Sequence, residues 1–234
     1  MNGKLIGVGL GPGDPELMTL KAHRLVSGAA VIAWPALEDG ESFARSIAAA
    51  AIPAGVTEIP LRIPMTVERA PAQAAYDRGA ADIAAHLRAG RDVVVLCEGD
   101  PFFYGSFMYL FARLAADFET EVVPGVTSVT ACAASARQPL TARNEVLGVL
   151  PAPLETDVLR QRITESGAVA IMKVGRHLGR LRALLEDMGL AGSATYVERA
   201  SLPNERILPL AEAPDPAPYF SMILITKGDD PWLN

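Results

Sequence analysis

Two uninterrupted apolar runs, "KLIGVGL" (4–10) and "DVVVLC" (92–97), constrain this chain more than any other feature. A run of this length without polar alternation suits a strand covered on both faces, as in a parallel sheet flanked by helices. Each run leads into a Gly-rich corner and then a helical pattern, and the pairing recurs. "AAVIAW", closed by Pro35, "VTEIPL" and "TEVVPG" read as further strands, with helices expected over about 15–27 and 42–51. "RIPMTVERAP" interrupts the alternation as a loop bracketed by Pro64 and Pro71. Beyond it, Tyr76, Ala80, Ile83 and Leu87 recur at helical spacing, and Gly90 is placed to end that helix. Phe107, Leu110, Phe111 and Leu114 form the next helical stripe, which reads as core.

The second half continues with a small-residue helix, "TSVTACAASA", and strands near "EVLGVLP", "AVAIMK", "SATYVER" and "YFSMILITK", with helices between the first three. "EAPDPAP" reads as a surface loop, and no internal repeat is apparent. The pattern predicts an α/β fold of two domains, 1–118 and 119–234, with a ligand cleft between them.

With 234 residues, 50% of them hydrophobic, the chain can bury a sizeable core. It has no 18-residue apolar run, so no membrane span is expected. The opening "MNGKLIG" reads as a strand and not as a signal peptide, which points to a cytoplasmic location. Cys97 and Cys132 lack CxxC spacing and read as buried thiols, and His23, His86 and His177 are scattered over outer helix faces. No metal site is expected from these residues. A net charge of −6 with 6% aromatic residues argues against nucleic acid as a partner.

The first corner, "GVGLGPGDPE", resembles a nucleotide loop but fails the usual templates. A G-x-G-x-x-G started at Gly7 meets Pro12 at its third glycine, and one started at Gly9 meets Asp14. No Gly-Lys-Ser/Thr follows, as a P-loop requires. Asp14 and Glu16 fall where a helix begins, which is ordinary capping chemistry and a poor setting for a phosphate. A ligand here should carry little negative charge.

Two more Gly/Pro corners follow strands: "CEGDPFFYGS" (97–106) and "PGVTSVTA" (124–131). In open α/β sheets, ligands gather beyond the carboxyl ends of the strands. Each corner brings backbone N–H and C=O groups toward a shared crevice. No H-E-x-x-H, G-x-S-x-G or paired-histidine spacing occurs. Methyl transfer from S-adenosylmethionine fits such a site, because a phosphate-free sulfonium donor needs alignment more than a protein nucleophile. The same features admit other phosphate-free ligands.

The ordered motifs "VGLGPGDPELMTLKA", "EGDPFFYGS", "PGVTSVTACAA" and "AIMKVGRHL" resemble the tetrapyrrole methylase family across essentially the whole chain. "LRIPMT", "AYDRGAADIAAHLRAGRDVVVLCEGDPFFYGSFMYL" and "ITKGDDPWL" are similar to its branch that methylates the bridging carbon C20 of precorrin-2 during cobalamin synthesis. The resemblance implies a two-domain α/β homodimer, with a largely parallel N-terminal sheet, a mixed C-terminal sheet and flanking helices. It implies S-adenosyl-L-methionine as cofactor, held between the domains, and precorrin-2 as the substrate converted to precorrin-3A.

Carried over residue by residue, the resemblance implies cofactor contacts at Pro12, Glu98, Gly99, Asp100, Phe103, Thr127, Ser128 and Met172, with Ala200 of "ERAS" as a further contact. Asp100 or its neighbouring backbone can hold the amino-acid end or ribose, Thr127 and Ser128 the polar tail, and Met172 the adenine. Glu98, Tyr104 and Tyr76 are the candidates for a base. The substrate bears eight carboxylates, and Arg62 and Lys21 are the candidate cations for them. The uroporphyrinogen-methylating branch tends to end its second strand with an aromatic-Asp pair. Pro35 stands at that position here and cannot perform its proton chemistry. Two other readings stand beside this one: a sister methylase acting on the cobalt-containing intermediate, and a non-catalytic sensor of S-adenosylmethionine or a tetrapyrrole.

Overall fold

Strand β1 (Leu5–Gly9) is buried at every residue, as an apolar run between two layers of side chains requires. The computed structural model in which it is seen describes residues 1–36, 42–64 and 69–228. Residues 65–68 of the expected loop, which include the end of the "LRIPMT" motif, and residues 229–233 of the terminal motif lie outside the described residues. The chain divides into two compact units, Met1–Thr127 and Ser128–Asn234.

In the first unit β1 is followed by α1 (Leu20–Ser27), β2 (Val31–Ala36), α2 (Phe43–Ala48), β3 (Thr57–Arg62), α3 (Arg69–Arg88), β4 (Val93–Cys97), α4 (Phe107–Leu114) and β5 (Thr120–Val123). The strands lie in the order β3-β2-β4-β1-β5, and every pairing is parallel. Alternate side chains of the sheet feed two cores. One gathers Val95, Ile83, Leu87, Phe107 and Leu110, and the other gathers Val8, Val26, Ile32, Ile47 and Leu96. Residues Leu5 to Val8 of β1 face Thr120 to Val123 of β5. This pairing carries the first unit past the expected boundary at 118/119 to Thr127.

Local chemistry explains where elements depart from the sequence pattern. The expected helix over 15–27 is two pieces, because two caps compete for its start. Asp14 Oδ1 accepts from Glu16 N–H at 2.9 Å and closes a 3-10 turn over Pro15–Leu17, with Met18 and Thr19 then extended. Thr19 Oγ1 accepts from Ala22 N–H at 3.1 Å and starts α1. Pro35 does not close β2, which runs to Ala36. Its β4 neighbour pairs only through Ile32 and Ala33, so the N–H that proline lacks breaks no ladder on that side. Pro71 lies in the first turn of α3 and not at a loop's end, a position where a missing N–H is tolerated. Gly90 N–H donates to Leu87 O and Arg91 N–H to His86 O, which closes α3 where expected.

The second unit comprises α5 (Ser128–Ser135), β6 (Leu147–Pro151), α6 (Thr156–Glu165), β7 (Ala168–Met172), α7 (Leu178–Asp187), β8 (Ala194–Glu198), β9 (Arg206–Pro209) and β10 (Ser221–Thr226). Its sheet runs β6-β7-β10-β8-β9. The first pair is parallel and the rest antiparallel, giving the mixed sheet expected. Ile163, Ile171, Leu181, Leu185, Tyr196 and Ile223 form the centre of its core. Arg180 ties the corner after β6, donating to the carbonyls of Ala152 and Leu154 and to Thr156 Oγ1. β9 had no signal in the sequence: it is a short edge strand of mostly exposed residues ending in Pro209. Ala213 and Ala217 of the expected surface loop are buried in the same core.

Phe107 shows how one large side chain sets a backbone requirement. It is 0% exposed, and a Cβ added to Gly7 would fall 2.5 Å from its ring. Phe107→Ala should destabilise the protein by about 3–5 kcal/mol in chemical denaturation, the usual cost of deleting a buried aromatic ring.

Candidate active site

The register of the first sheet brings three corners to one level. Gly9 of β1 faces Cys97 of β4, and Val8 faces Val123 of β5, so the segments after all three strands leave the same carboxyl edge. The first and second corners pair with each other. Gly99 N–H donates to Gly11 O at 2.7 Å, and Leu10 N–H donates to Cys97 O at 2.9 Å. The third is packed in among them. A Cβ at Gly125 would lie 2.0 Å from Gly99 O and 2.8 Å from Gly9 Cα, and one at Gly9 would lie 2.6 Å from Gly125 N. Only residues without a side chain allow backbones this close.

Asp100 latches the arrangement. Its Oδ1 accepts from the N–H groups of Phe102 and Phe103 at 2.9 and 3.0 Å, and its Oδ2 accepts from Gly125 N–H at 3.0 Å. The carboxylate is thus turned onto backbone amides of two corners. Pro12 is half-buried, next to the Gly11–Gly99 bridge. Phe103 and Tyr104 are exposed at 37% and 46%, with their rings edge to face at 5.3 Å. Tyr104 takes a left-handed φ of 57°, a conformation that costs energy for a side chain of this size.

The candidate bases separate sharply. Glu98 is partly buried, and burial raises its carboxyl above the usual carboxylate range, so it can hold a proton where an exposed glutamate does not. Tyr76 is buried against Tyr109, with ring centroids 4.9 Å apart. Burial first, then Tyr109, pushes its phenol up to about 12, which suits a packing residue more than a base. Cys97 and Cys132 are buried thiols; burial pushes the Cys132 thiol up to about 12 and Cys97 up as well.

Of the candidate cations, Arg62 is the exposed last residue of β3 and so stands on the same carboxyl edge as the corners. Lys21 does not join them. Its Nζ is held 2.5 Å from Glu121 Oε1, on the second residue of β5 and before the third corner. Thr127 ends the first unit and Ser128 opens α5 in the second.

In the second unit, Met172 ends β7 and pairs with Pro151 and Met222, and Ala200 follows the end of β8. Both belong to the edge where β6, β7 and β8 finish and β10 begins. Sequence reasoning missed the carboxylate beside them. Glu198 is 1% exposed; its Oε2 accepts from Tyr196 Oη at 2.7 Å, and its Oε1 accepts from the Nη1 atoms of Arg199 and Arg206 at 3.1 and 3.3 Å. A charged residue closing the otherwise apolar "ATYV" was the available signal.

The carboxyl edge of the parallel sheet thus ends in three interlocked glycine corners, at the end of an open α/β sheet where ligands gather. Comparison with known proteins narrows the class. Residues 4–214 match the family model for Tetrapyrrole (Corrin/Porphyrin) Methylases, and the chain belongs to that family. It is 42% identical to the precorrin-2 C(20)-methyltransferase of a Sinorhizobium species over 97% of both chains. It is also 43% identical to the cobalamin biosynthesis protein CobIJ of Mycobacterium tuberculosis over 97% of its own length, spanning 46% of that longer protein. The uroporphyrin-III C-methyl transferase of Thermus thermophilus, solved with S-adenyl homocysteine, shares 28% identity and a TM-score of 0.66, covering 95% of this chain and 97% of that one.

Two measurements check the geometry. Gly125→Ala should lower the unfolding midpoint, with the cost of about 1–3 kcal/mol that forced overpacking carries. Gly28→Ala should change it little, because the added methyl comes no closer than 3.4 Å to Arg24 O. For Glu98, a folded-state pKa above the unfolded one means that folding favours the protonated acid. That contribution is present at acid pH and is lost as pH rises through the folded value. Glu98→Gln should therefore gain stability relative to the wild type on going from acid to neutral pH, read from unfolding midpoints across that range.

Proposed function

We propose that this chain methylates the C20 bridging carbon of precorrin-2, using S-adenosyl-L-methionine and giving precorrin-3A and S-adenosylhomocysteine in cobalamin biosynthesis. The observation that carries the reading is the knot of Gly9, Gly99 and Gly125 at one sheet edge, in a chain whose relative of matching length is named for this reaction. The cofactor fits the chemistry of the corners. Backbone amides and carbonyls can hold its polar groups, and Asp14, turned onto the Glu16 amide, meets no phosphate. When bound, it supplies a methyl group already activated on a sulfonium.

The residues then have positioning roles. Pro12, Glu98, Gly99, Asp100 and Phe103 shape the first-unit side of the cofactor site, with Asp100 fixing the second and third corners in register. Thr127 closes the same unit, and Ser128, Met172 and Ala200 are the contacts read for the second unit by resemblance to the family. Tight alignment of acceptor carbon and methyl group supplies most of the acceleration in such a transfer. Glu98, with its raised carboxyl, is the first candidate to take up the proton the macrocycle loses, ahead of Tyr104. Arg62 serves the substrate carboxylates, and Lys21, paired with Glu121, drops out of the set. The reading includes a homodimer in the cytoplasm. Among the described residues no helix is long and apolar enough to cross a membrane.

The test is incubation with precorrin-2 and cofactor carrying a labelled methyl group, with the product examined by NMR. Label on C20 is the expected result. Label at another carbon, or turnover of only the cobalt-loaded macrocycle, overturns the assignment, and binding without transfer makes the protein a sensor.

A further inference from the structure

We propose that Arg199 and Arg206 form a carboxylate clamp for the acidic macrocycle, preset by the buried Glu198. The inference rests on the tetrapyrrole reading above and concerns residues of the second unit alone.

A buried glutamate is costly unless it is paired and hydrogen-bonded. Glu198 meets that requirement with one phenol and two guanidiniums, and both guanidiniums reach the same oxygen. The arrangement leaves the two arginines in excess over the carboxylate they share. Glu205, beside Arg206 in the chain, does not restore the balance locally, because its Oε2 is turned onto Ser201 N–H and Ser135 Oγ, each at 2.6 Å. The arginines are not buried with their partner: their side chains are 36% and 51% exposed against 1% for Glu198. A guanidinium has five N–H donors in a planar fork, and a bond to one carboxylate oxygen occupies a small part of it. The remaining donors can take a second carboxylate with two parallel hydrogen bonds.

The backbone holds the clamp at the edge where the candidate cofactor contacts lie. Arg199 directly precedes Ala200, and it takes a left-handed φ of 52° that ends β8. Its N–H donates to Phe220 O at 2.8 Å, which pins the residue to the start of β10. Arg206 opens β9 directly opposite Glu198. Two strands away, β7 ends in Met172 and is followed by the exposed Lys173, so the same edge carries a third cation. Tyr219 and Phe220, just before β10, are 68% and 39% exposed, with rings edge to face at 4.9 Å. Exposed guanidiniums suit a ring system fringed with carboxylates.

The test uses two readouts, so that failure of the clamp and failure of the methylase reading are separable. The first is equilibrium titration with uroporphyrin III, a macrocycle with eight carboxylates, followed by absorbance and needing no turnover. Arg199→Gln should weaken binding about tenfold or more. Arg199→Lys keeps a charge for Glu198 to hold, so it protects the fold. It loses the planar fork, and its affinity should fall between those of the wild type and Arg199→Gln. Arg160→Gln, which removes a surface partner of Asp187, should bind as the wild type does. The second readout is turnover of precorrin-2. There Arg199→Gln should raise KM for the tetrapyrrole by a similar factor and leave KM for S-adenosylmethionine unchanged, a split that a merely structural arginine would not produce. Equal porphyrin affinity in wild type and Arg199→Gln, or no binding by the wild type, overturns the clamp. Arginine-dependent binding without any methyl transfer supports the clamp and overturns the methylase reading alone.

Discussion

Everything proposed for this protein depends on three backbone segments being able to touch. Gly9, Gly99 and Gly125 come from corners far apart in the sequence, and a methyl group on Gly9 or Gly125 would collide with backbone of the other corners. The parallel register of β1, β4 and β5 brings these corners to one level, and the Asp100 carboxylate then stitches the second to the third. The arrangement packs the amides and carbonyls of the three corners against one another.

The division of labour that follows is unusual in one respect. Acidic side chains of the first and second corners are turned onto backbone amides. Asp14 caps a turn, and Asp100 accepts three amide protons. Glu198, marked in the sequence only as a charge closing "ATYV", organises charge, since it holds two arginines and a phenol. Glu98 is left as the carboxyl that burial makes proton-retaining at the candidate site.

The sheets were legible because their central strands are long apolar runs, and a short run apolar on both faces must be covered on both faces. "KLIGVGL" and "DVVVLC" became adjacent central strands, and the Gly/Pro corners after them met as expected. Edges and caps were less legible. β9 is exposed on a sheet edge, so no periodic burial marks it, and the break at Met18 and Thr19 depends on which of two caps wins. The latch between Asp100 and Gly125 could not be read, since pairing across 25 residues depends on register and not on local pattern. Lys21 illustrates the same limit: its type suggested a substrate cation, but β5 places Glu121 beside it.

The prolines in the outer strands have a consequence for the protein's life in a crowded solution. β3 carries Pro60, β6 ends in Pro151 and β9 ends in Pro209, so three of the four outermost strands lack an amide hydrogen somewhere along their length. The fourth, β5, has Glu121 held by Lys4 and Lys21. A neighbouring chain seeking to extend either sheet would meet a missing donor or an ion pair that it must desolvate, and intermolecular β-growth toward aggregates is discouraged at each border.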